Sequence, residues 1–201
     1  WDIPEKDLRA NFRGYGADKK KRDEDIAEAK KLLAAAGYAN GFQSTLMLGE
    51  GPVFDQGGLI ASEQLKAIGV NLVPQQEEFT THLNRTDKGD FDASAYEVGI
   101  SLDEPDDAFN VQFKTNAPRN YGKFSDADID RLIDQQTVTL DRAKRKEIVL
   151  DIDKRLLDNV AVVFIQWPYQ NWSWQSHVKQ FSTKSGLYSN YRFINTDSDK
   201  K

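Results

Sequence analysis

Apolar and polar positions along the first part of the chain predict helix, strand, helix and strand in turn. Apolar residues recur at the helical period from about Arg22 to Ala36, and Gly37 supplies the left-handed residue that ends a helix. Alternation from Phe42 to Leu48 predicts a strand. A helix from about Val53 to Ile68 and a strand from Val70 to Gln75 follow. This repetition predicts a sheet covered by helices, with parallel strand pairs.

Each predicted helix has an apolar face that we expect to lie in the core. A third helix is predicted over Glu78 to Asp87, a third strand from Phe91 to Val98, and two further helices after caps at Ser125 and Asp141. The residues expected to face inward are Ile26, Ala29, Leu32, Leu33 and Ala36; Leu59, Ile60 and Leu65; Ile129, Leu132, Ile133 and Leu140; and Ile148, Val149, Ile152, Leu156 and Leu157.

Two stretches depart from this alternation. From Gly99 to Gly122 the chain is rich in Asp, Asn, Pro and Gly, which predicts a long irregular loop of the kind that often carries function. Val160 to Trp167 is apolar and is followed by Pro168, which predicts a fully buried strand. The last stretch, from Tyr169, mixes aromatic and polar residues before a hydrophilic tail.

Composition narrows the class of protein. The 201 residues carry a formal net charge of -5 and contain no cysteine, which excludes disulfides, thiolate metal ligands and thiol nucleophiles. Nucleic acid is not an expected partner, because modules that bind it usually carry a basic face. The one dense basic run, Lys19 to Arg22, is followed at once by three acidic residues, which is typical of a solvated helix start. No apolar stretch reaches the ~18–20 residues that would span a bilayer.

Several short motifs follow one another in an informative order. They are Ala29-Lys30-Lys31-Leu32-Leu33 leading to Ala36-Gly37-Tyr38, Leu65 to Val70, Gly89-Asp90-Phe91-Asp92, Pro105 in an acidic loop, Asn120-Tyr121 ahead of Asp130-Arg131-Leu132-Ile133, and the helix from Asp141 to Arg155. Taken in order over about Ala27 to Trp167, they resemble the peptide/nickel family (family 5) of bacterial extracellular solute-binding proteins, the dipeptide- and oligopeptide-binding type that feeds ABC importers.

This resemblance implies an α/β fold, namely a periplasmic-binding-protein-like (type II) lobe with a mixed sheet flanked by helices. It implies a C-terminal ligand-binding lobe over 1–178, and over 179–201 a return segment toward an N-terminal lobe and a tail. Because the chain starts abruptly at Trp1, with neither an initiator Met nor a signal peptide, we expect a fragment of a longer protein. The whole protein is expected to be exported, to the periplasm or as a cell-surface lipoprotein.

The resemblance also implies how the protein works and with what partners. The implied mechanism is capture by closure, in which a small-molecule solute bridges two lobes and the closed form docks on an ABC permease at the membrane. The protein's own N-terminal lobe would supply the other half of the site. No cofactor and no metal are expected.

Two positions depart from the family's pattern. In peptide binders of the family, the strand that follows the Gly-Asp-Phe-Asp motif typically carries a Trp, followed three residues on by an Asp that pairs with the peptide's amino group. Counting back from Pro105, this chain has Val98 and Ser101 at those positions. A buried ammonium without a carboxylate partner is costly. We therefore expect a neutral or anionic solute such as an oligosaccharide, with a peptide as the alternative.

Residues from two regions are expected to line the ligand cleft. One region is the end of the third strand and the loop after it, and the other is an aromatic run near the C-terminal end of the chain, whose rings could stack on a sugar or pack on a neighbouring lobe. The predicted ligand-binding residues are Tyr96, Val98, Ser101, Asp103, Glu104, Trp167, Tyr169 and Trp172.

Catalytic and metal-binding interpretations have less support. The acidic residues from Asp103 to Asp107 could bind calcium or act as a hydrolase's carboxylate pair, but their spacing fits no EF-hand and a solvated acidic loop is favoured. His82 and His177 are interpreted as surface or structural residues. The sequence contains no nucleophile elbow, no Walker loop and no dinucleotide-binding fingerprint. We therefore predict a binding protein and not an enzyme, and keep as alternatives a carboxylate-dependent hydrolase and a sensory or interaction module of the same fold.

Overall fold

The structure is a computed structural model that describes residues 1, 3–16, 18–96, 99, 104–165, 173–179 and 197–198. Helices and strands follow one another in the order predicted for most of the chain. The elements are α1 (Glu5–Asn11), α2 (Lys19–Ala35), β1 (Phe42–Gly49), α3 (Pro52–Leu65) with a 3-10 turn (Lys66–Ile68), β2 (Val70–Glu77), α4 (Phe79–Lys88), β3 (Ala93–Ala95), α5 (Pro105–Ala108) with a π-helical turn (Phe109–Phe113), α6 (Ala127–Val138), α7 (Arg142–Asp158), β4 (Val178–Lys179) and β5 (Asp197–Ser198).

Strands β1, β2 and β3 form a parallel sheet in the order β2-β1-β3. Leu46 of β1 lies opposite Pro74 on one side and Ala93 on the other. The predicted parallel pairing is confirmed. Because the three strands run the same way, their carboxyl ends lie at one side of the sheet, which we call the carboxyl edge. The last residues of β1, β2 and β3 are Gly49, Glu77 and Ala95. Strands β4 and β5 pair with each other in antiparallel fashion.

Helix α3 packs on the sheet through small residues, not through the large ones expected. Leu59 and Ile60 are 44% and 59% exposed, so their predicted burial is wrong. Gly57, Gly58 and Ser62 are buried instead. A methyl group added at Gly58 would lie 2.5 Å from a terminal methyl group of Leu48 and 3.1 Å from the Cβ of Ala95, so the helix lies close to the sheet at this residue.

Helix α2 ends where predicted but is not buried as predicted. Gly37 adopts a φ of +91°, and the amides of Gly37 and Tyr38 donate to the carbonyls of Ala34 and Leu33 at 3.1 and 2.8 Å. This is the left-handed helix end that the sequence predicts. Within α2 itself, however, every side chain is at least partly exposed, and Leu32 is 58% exposed.

The main hydrophobic core lies between α6, α7 and the segment that contains α5. Asp126 caps α6, because its side chain accepts hydrogen bonds from the backbone amides of Asp128 and Ile129. The cap therefore lies one residue after the predicted Ser125. Asp141 caps α7 as predicted. Leu140, expected in the core, is 99% exposed. The buried members of the core are Phe109, Phe113, Ile129, Leu132, Ile133, Val149, Ile152 and Leu156.

Two predictions of backbone conformation are wrong within the described residues. The stretch from Gly99 to Gly122 is not irregular throughout, because α5 and the π-helical turn occupy Pro105 to Phe113 and bury Phe109 and Phe113. From Val160 to Ile165 the chain forms turns and irregular backbone, not a buried strand. Val160 adopts a φ of +51° and is 63% exposed, because it closes the end of α7 with its amide donating to the Leu157 carbonyl.

Candidate functional site

Tyr96 lies one residue beyond β3, at the carboxyl edge of the sheet. Its ring packs edge-on against the ring of Tyr121, with 5.1 Å between centroids and an interplanar angle of 78°. Both residues are partly buried. In open parallel sheets, ligands bind outside the carboxyl ends of the strands, so this aromatic pair stands where such folds place a ligand site.

Both phenols remain protonated over the physiological range. Burial raises the pKa of Tyr96, and the nearby Tyr121 raises it further. Burial also raises the pKa of Tyr121, with an added contribution from the carboxylate of Asp87, which accepts a hydrogen bond from the phenol. The pair therefore offers neutral rings and a hydroxyl on Tyr96, which suits stacking on an uncharged part of a solute.

A buried polar cluster supports the same edge from the side of α4. His82 is fully buried, and its Nε2 lies 3.1 Å from the Ser94 hydroxyl oxygen on β3. The Ser94 hydroxyl also lies 3.4 Å from the hydroxyl oxygen of buried Thr86. A methyl group added at Gly49 would come within 3.1 Å of His82 Nδ1, so the last residue of β1 is packed on the imidazole. His82 is therefore a structural residue of this edge.

Two charged residues, Glu77 and Arg85, lie near the His82 imidazole at the end of β2. Arg85 donates to the carboxylate of Glu77 and, at 3.0 Å, to that of Asp90. Burial lowers the pKa of His82 below its ordinary value of 6.5; Glu77 and a hydrogen bond with the Ala95 backbone oppose this, and Arg85 adds to it. The imidazole is thus neutral at pH 7.

Acidification is expected to destabilise the fold through His82. Because its pKa is lower in the folded chain than in the unfolded chain, the unfolded chain binds more protons as pH falls below about 6.5, and the free energy of unfolding decreases. Urea unfolding at pH 7 and pH 5 should show a smaller loss for His82→Gln than for the parent chain. The matched control His177→Gln should keep the full loss, and an equal loss in His82→Gln would contradict the assignment.

Glu104, the residue directly before α5, is paired with a residue of α7. Arg145 of α7 donates to the carboxylate of Glu104 and also to the amide oxygen of Gln136, through Nη2 at 2.8 Å and Nε at 3.0 Å. The Trp1 ring lies over the same guanidinium, 5.1 Å from centroid to Cζ. Glu104 is therefore paired, although the sequence presents it as part of an acidic loop.

Asp106 is equally engaged. Its Oδ1 accepts from the Gln136 amide, from the Thr137 hydroxyl at 2.7 Å and from the Asn110 amide at 3.1 Å. These three hydrogen bonds give Oδ1 of Asp106 a structural role in holding α5 to α6. Among the described residues, acidic and histidine side chains nowhere gather into a group of three that could hold a metal ion.

The structure describes two of the predicted ligand-binding residues. Tyr96 stands at the carboxyl edge, and Glu104 lies at the start of α5, paired with Arg145. Sequence reasoning missed Tyr121 and Arg145; the Asn120-Tyr121 motif was a signal for the first, but nothing local marks the second. The predicted residues that lie outside the described part of the chain are Val98, Ser101, Asp103, Trp167, Tyr169 and Trp172.

Comparison with known sequences identifies the family. Residues 6–120 match the family described as "Bacterial extracellular solute-binding proteins, family 5 Middle", which is more than half of the chain. This chain belongs to family 5 of the bacterial extracellular solute-binding proteins. In the described part of this family 5 chain, no helix combines the length and the apolar character needed to cross a membrane.

Individual relatives agree with this assignment. The oligopeptide-binding protein AppA of Bacillus subtilis is 23% identical over 93% of the family 5 chain and 37% of its own length. The periplasmic binding protein DppA of Helicobacter pylori, solved with the peptide STSA, superposes with a TM-score of 0.74 at 22% identity, over 96% of this chain and 36% of that one.

A solved relative with a different ligand is also similar. AgaA of A. tumefaciens R10, in complex with agropinic acid, has a TM-score of 0.62 and 26% identity over 82% of this chain and 34% of its own. The predicted α/β, type II periplasmic-binding-protein fold is confirmed. The chain spans about a third of the length of AppA and of these two solved relatives.

Proposed function

We propose that this chain is the ligand-capturing lobe of the solute-binding component of an ABC importer. Membership of family 5 supports this role, and the observation that carries it is the position of Tyr96 and Tyr121 at the carboxyl edge of a parallel sheet. The family's description as extracellular supports an exported protein, in the periplasm or as a cell-surface lipoprotein.

The proposed mechanism is closure of two lobes on a solute. Residues 1–178 would supply one wall of the cleft, and 179–201 would return toward the other lobe. Because the chain spans about a third of its relatives' length, we propose that residues outside it supply the opposite wall. A lobe with half of the contacts binds weakly by itself, since the cost of immobilising the solute is offset only when both walls engage. The closed form would then dock on the permease.

The proposed ligand is a small solute without a free amino terminus, such as an oligosaccharide. Val98 and Ser101 leave an ammonium group without the carboxylate that it needs, and the neutral aromatic pair at the carboxyl edge suits an uncharged surface. Agropinic acid in AgaA supports ligand variety within this fold. A peptide is the second candidate, favoured by AppA and by the peptide bound to DppA.

Binding without catalysis is the better account of the acidic segment. A carboxylate-dependent hydrolase needs carboxylates that can reach a substrate, whereas Glu104 is paired with Arg145 and Asp106 accepts three hydrogen bonds. Both carboxylates thus have structural partners, which argues against Glu104 and Asp106 as a catalytic pair.

A panel of defined probes tests the proposal. A protein of the relatives' length that contains this chain would be titrated with maltotriose, agropinic acid, the tetrapeptide Ser-Thr-Ser-Ala and the N-acetylated tetrapeptide, using thermal unfolding and calorimetry. A bound probe at 100 times its Kd stabilises by about 2.7 kcal/mol. We expect stabilisation by a probe that lacks a free amine, and weaker binding in Tyr96→Ala than in Tyr96→Phe.

Two outcomes would count against the proposal. Tight binding of the tetrapeptide that disappears on N-acetylation would replace the non-peptide ligand with a peptide. If no probe stabilised the protein and Tyr96→Ala altered no measured property, the carboxyl edge would lose its assignment as the ligand site.

A further inference from the structure

One buried amide side chain organises the loop of residues 114–124, which lies between the π-helical turn and α6. Asn120 is 6% exposed, and its amide nitrogen donates to the backbone carbonyls of Lys114 and Phe124 at 3.2 and 2.6 Å. Its amide oxygen accepts the backbone amide of Phe124 at 2.9 Å. A single side chain therefore fastens both ends of the loop to a residue within it.

The backbone of this loop contains conformations that need such support. Asn116 and Lys123 adopt φ angles of +61° and +55°, in the left-handed region that residues other than glycine enter at a cost. The Thr115 amide donates to the Asp130 carboxylate at 2.8 Å, which ties the start of the loop to α6. Strained backbone persists where surrounding contacts over-determine it, and it is common beside ligand sites.

Tyr121 follows Asn120 directly, so a fixed loop also fixes the point from which the Tyr121 side chain starts. The Tyr121 ring packs edge-on against the Tyr96 ring, with 5.1 Å between centroids, and its phenol donates to the Asp87 carboxylate of α4. The loop also lies against the end of α4, because a methyl group added at Gly89 would lie 3.7 Å from the Tyr121 carbonyl oxygen. Tyr121 therefore joins the loop, α4 and the residue that follows β3.

We propose that Asn120 is a positioning residue, which holds Tyr121 against Tyr96 and thereby shapes the aromatic surface on which the solute stacks. Ring pairs favour edge-on contact at this separation, so a displaced Tyr121 would lose a favourable contact and leave Tyr96 free to take another rotamer. Asn120 acts through Tyr121 and not on the solute, because both N–H groups of its amide donate to the loop backbone. The effect on affinity rests on the proposed solute-binding function, whereas the placement of the ring does not.

Two measurements on a protein of the relatives' length test the placement of the ring. In Asn120→Ala, and in Asn120→Asp, which keeps the acceptor but loses both donors, hydrogen–deuterium exchange should speed up over residues 114–124 while α7 keeps its protection. With isotope-labelled tyrosine, the nuclear Overhauser effect between the rings of Tyr96 and Tyr121 should weaken in both variants. The control Asn84→Ala truncates an exposed asparagine on α4 and should change neither measurement.

A double-mutant cycle then separates positioning from a general loss of structure. For whichever of the four probes the parent protein binds, Tyr121→Ala and Asn120→Ala should each raise the Kd by roughly three- to tenfold, at a temperature where both are folded. The double variant should bind no more weakly than Tyr121→Ala alone, because Asn120 acts through Tyr121. Asn84→Ala should bind as the parent does. A merely structural role would lower thermal stability in Asn120→Ala without changing the Kd.

The two proposals fail in different ways. Unchanged exchange over 114–124, or an unchanged ring contact in both Asn120 variants, would overturn the positioning role whether or not a probe binds. Additive losses of affinity in the double variant, or an unchanged Kd in Asn120→Ala, would overturn it as well. Unfolding of both Asn120 variants would do the same, since Asn120 would then support the whole lobe. A parent protein that binds none of the probes would count against the proposed function, and the ring contact would still decide the role of Asn120.

Discussion

Gly41→Ala is expected to lower the free energy of unfolding by about 2–5 kcal/mol, since it adds a left-handed backbone cost of about 1–2 kcal/mol to an overpacking cost of about 1–3 kcal/mol. Gly41 adopts a φ of +75°, and an added methyl carbon would lie 2.0 Å from the Gly69 carbonyl oxygen. The same oxygen accepts the Phe42 amide at 3.1 Å, where β1 and β2 begin to pair. Because the obstacle is backbone, no side-chain rotation can relieve it.

Gly37→Ala provides the matched control. Gly37 has a φ of +91° but nothing within 4 Å of the position that a methyl group would occupy. This substitution should therefore incur only the left-handed backbone cost, about 1–2 kcal/mol. Urea unfolding of both variants with a common m-value would measure the difference. Equal losses would mean that the approach of Gly41 to Gly69 is not a constraint on the fold.

The ends of helical segments at glycine could be predicted from the local sequence. Gly37 and Gly69 end helical segments as predicted, because a residue without a Cβ enters the left-handed region at little cost. Parallel pairing of the strands also followed from the alternation of helix and strand. The helix ends depend on neighbouring residues, and the parallel pairing follows from the order of successive helices and strands, so periodicity and turn residues are enough to predict both.

Packing between segments that are distant in sequence could not be predicted from the periodicity of apolar residues. The face of α3 that meets the sheet contains Gly57 and Gly58, and hydrophobicity alone favoured Leu59 and Ile60. How closely a helix approaches a sheet depends on both surfaces, and periodicity describes only one of them. The same limit applies at the candidate site. Tyr96 was predicted from its place near the end of the third predicted strand, whereas the contact between Glu104 and Arg145 joins residues 41 positions apart.

Ile133→Ala is expected to cost about 2–5 kcal/mol of unfolding free energy, the range for removing a large buried aliphatic side chain. Ile133 is 0% exposed and belongs to the cluster in which α6 meets α7. Truncation leaves a cavity that its neighbours fill only in part, so lost packing adds to the lost burial.

Leu140→Ala is the informative comparison, because the sequence pattern put Leu140 on the same buried face as Ile133. Helix α6 ends at Val138, and Thr139 adopts an extended conformation with ψ of 104°, which takes Leu140 out of the helical period. Leu140 is consequently 99% exposed, and its truncation should change stability by less than about 0.5 kcal/mol. Urea unfolding of the two variants measures the contrast. A large loss in Leu140→Ala would mean that the link between α6 and α7 is covered by another part of the protein, and a small loss in Ile133→Ala would contradict the core described between these helices.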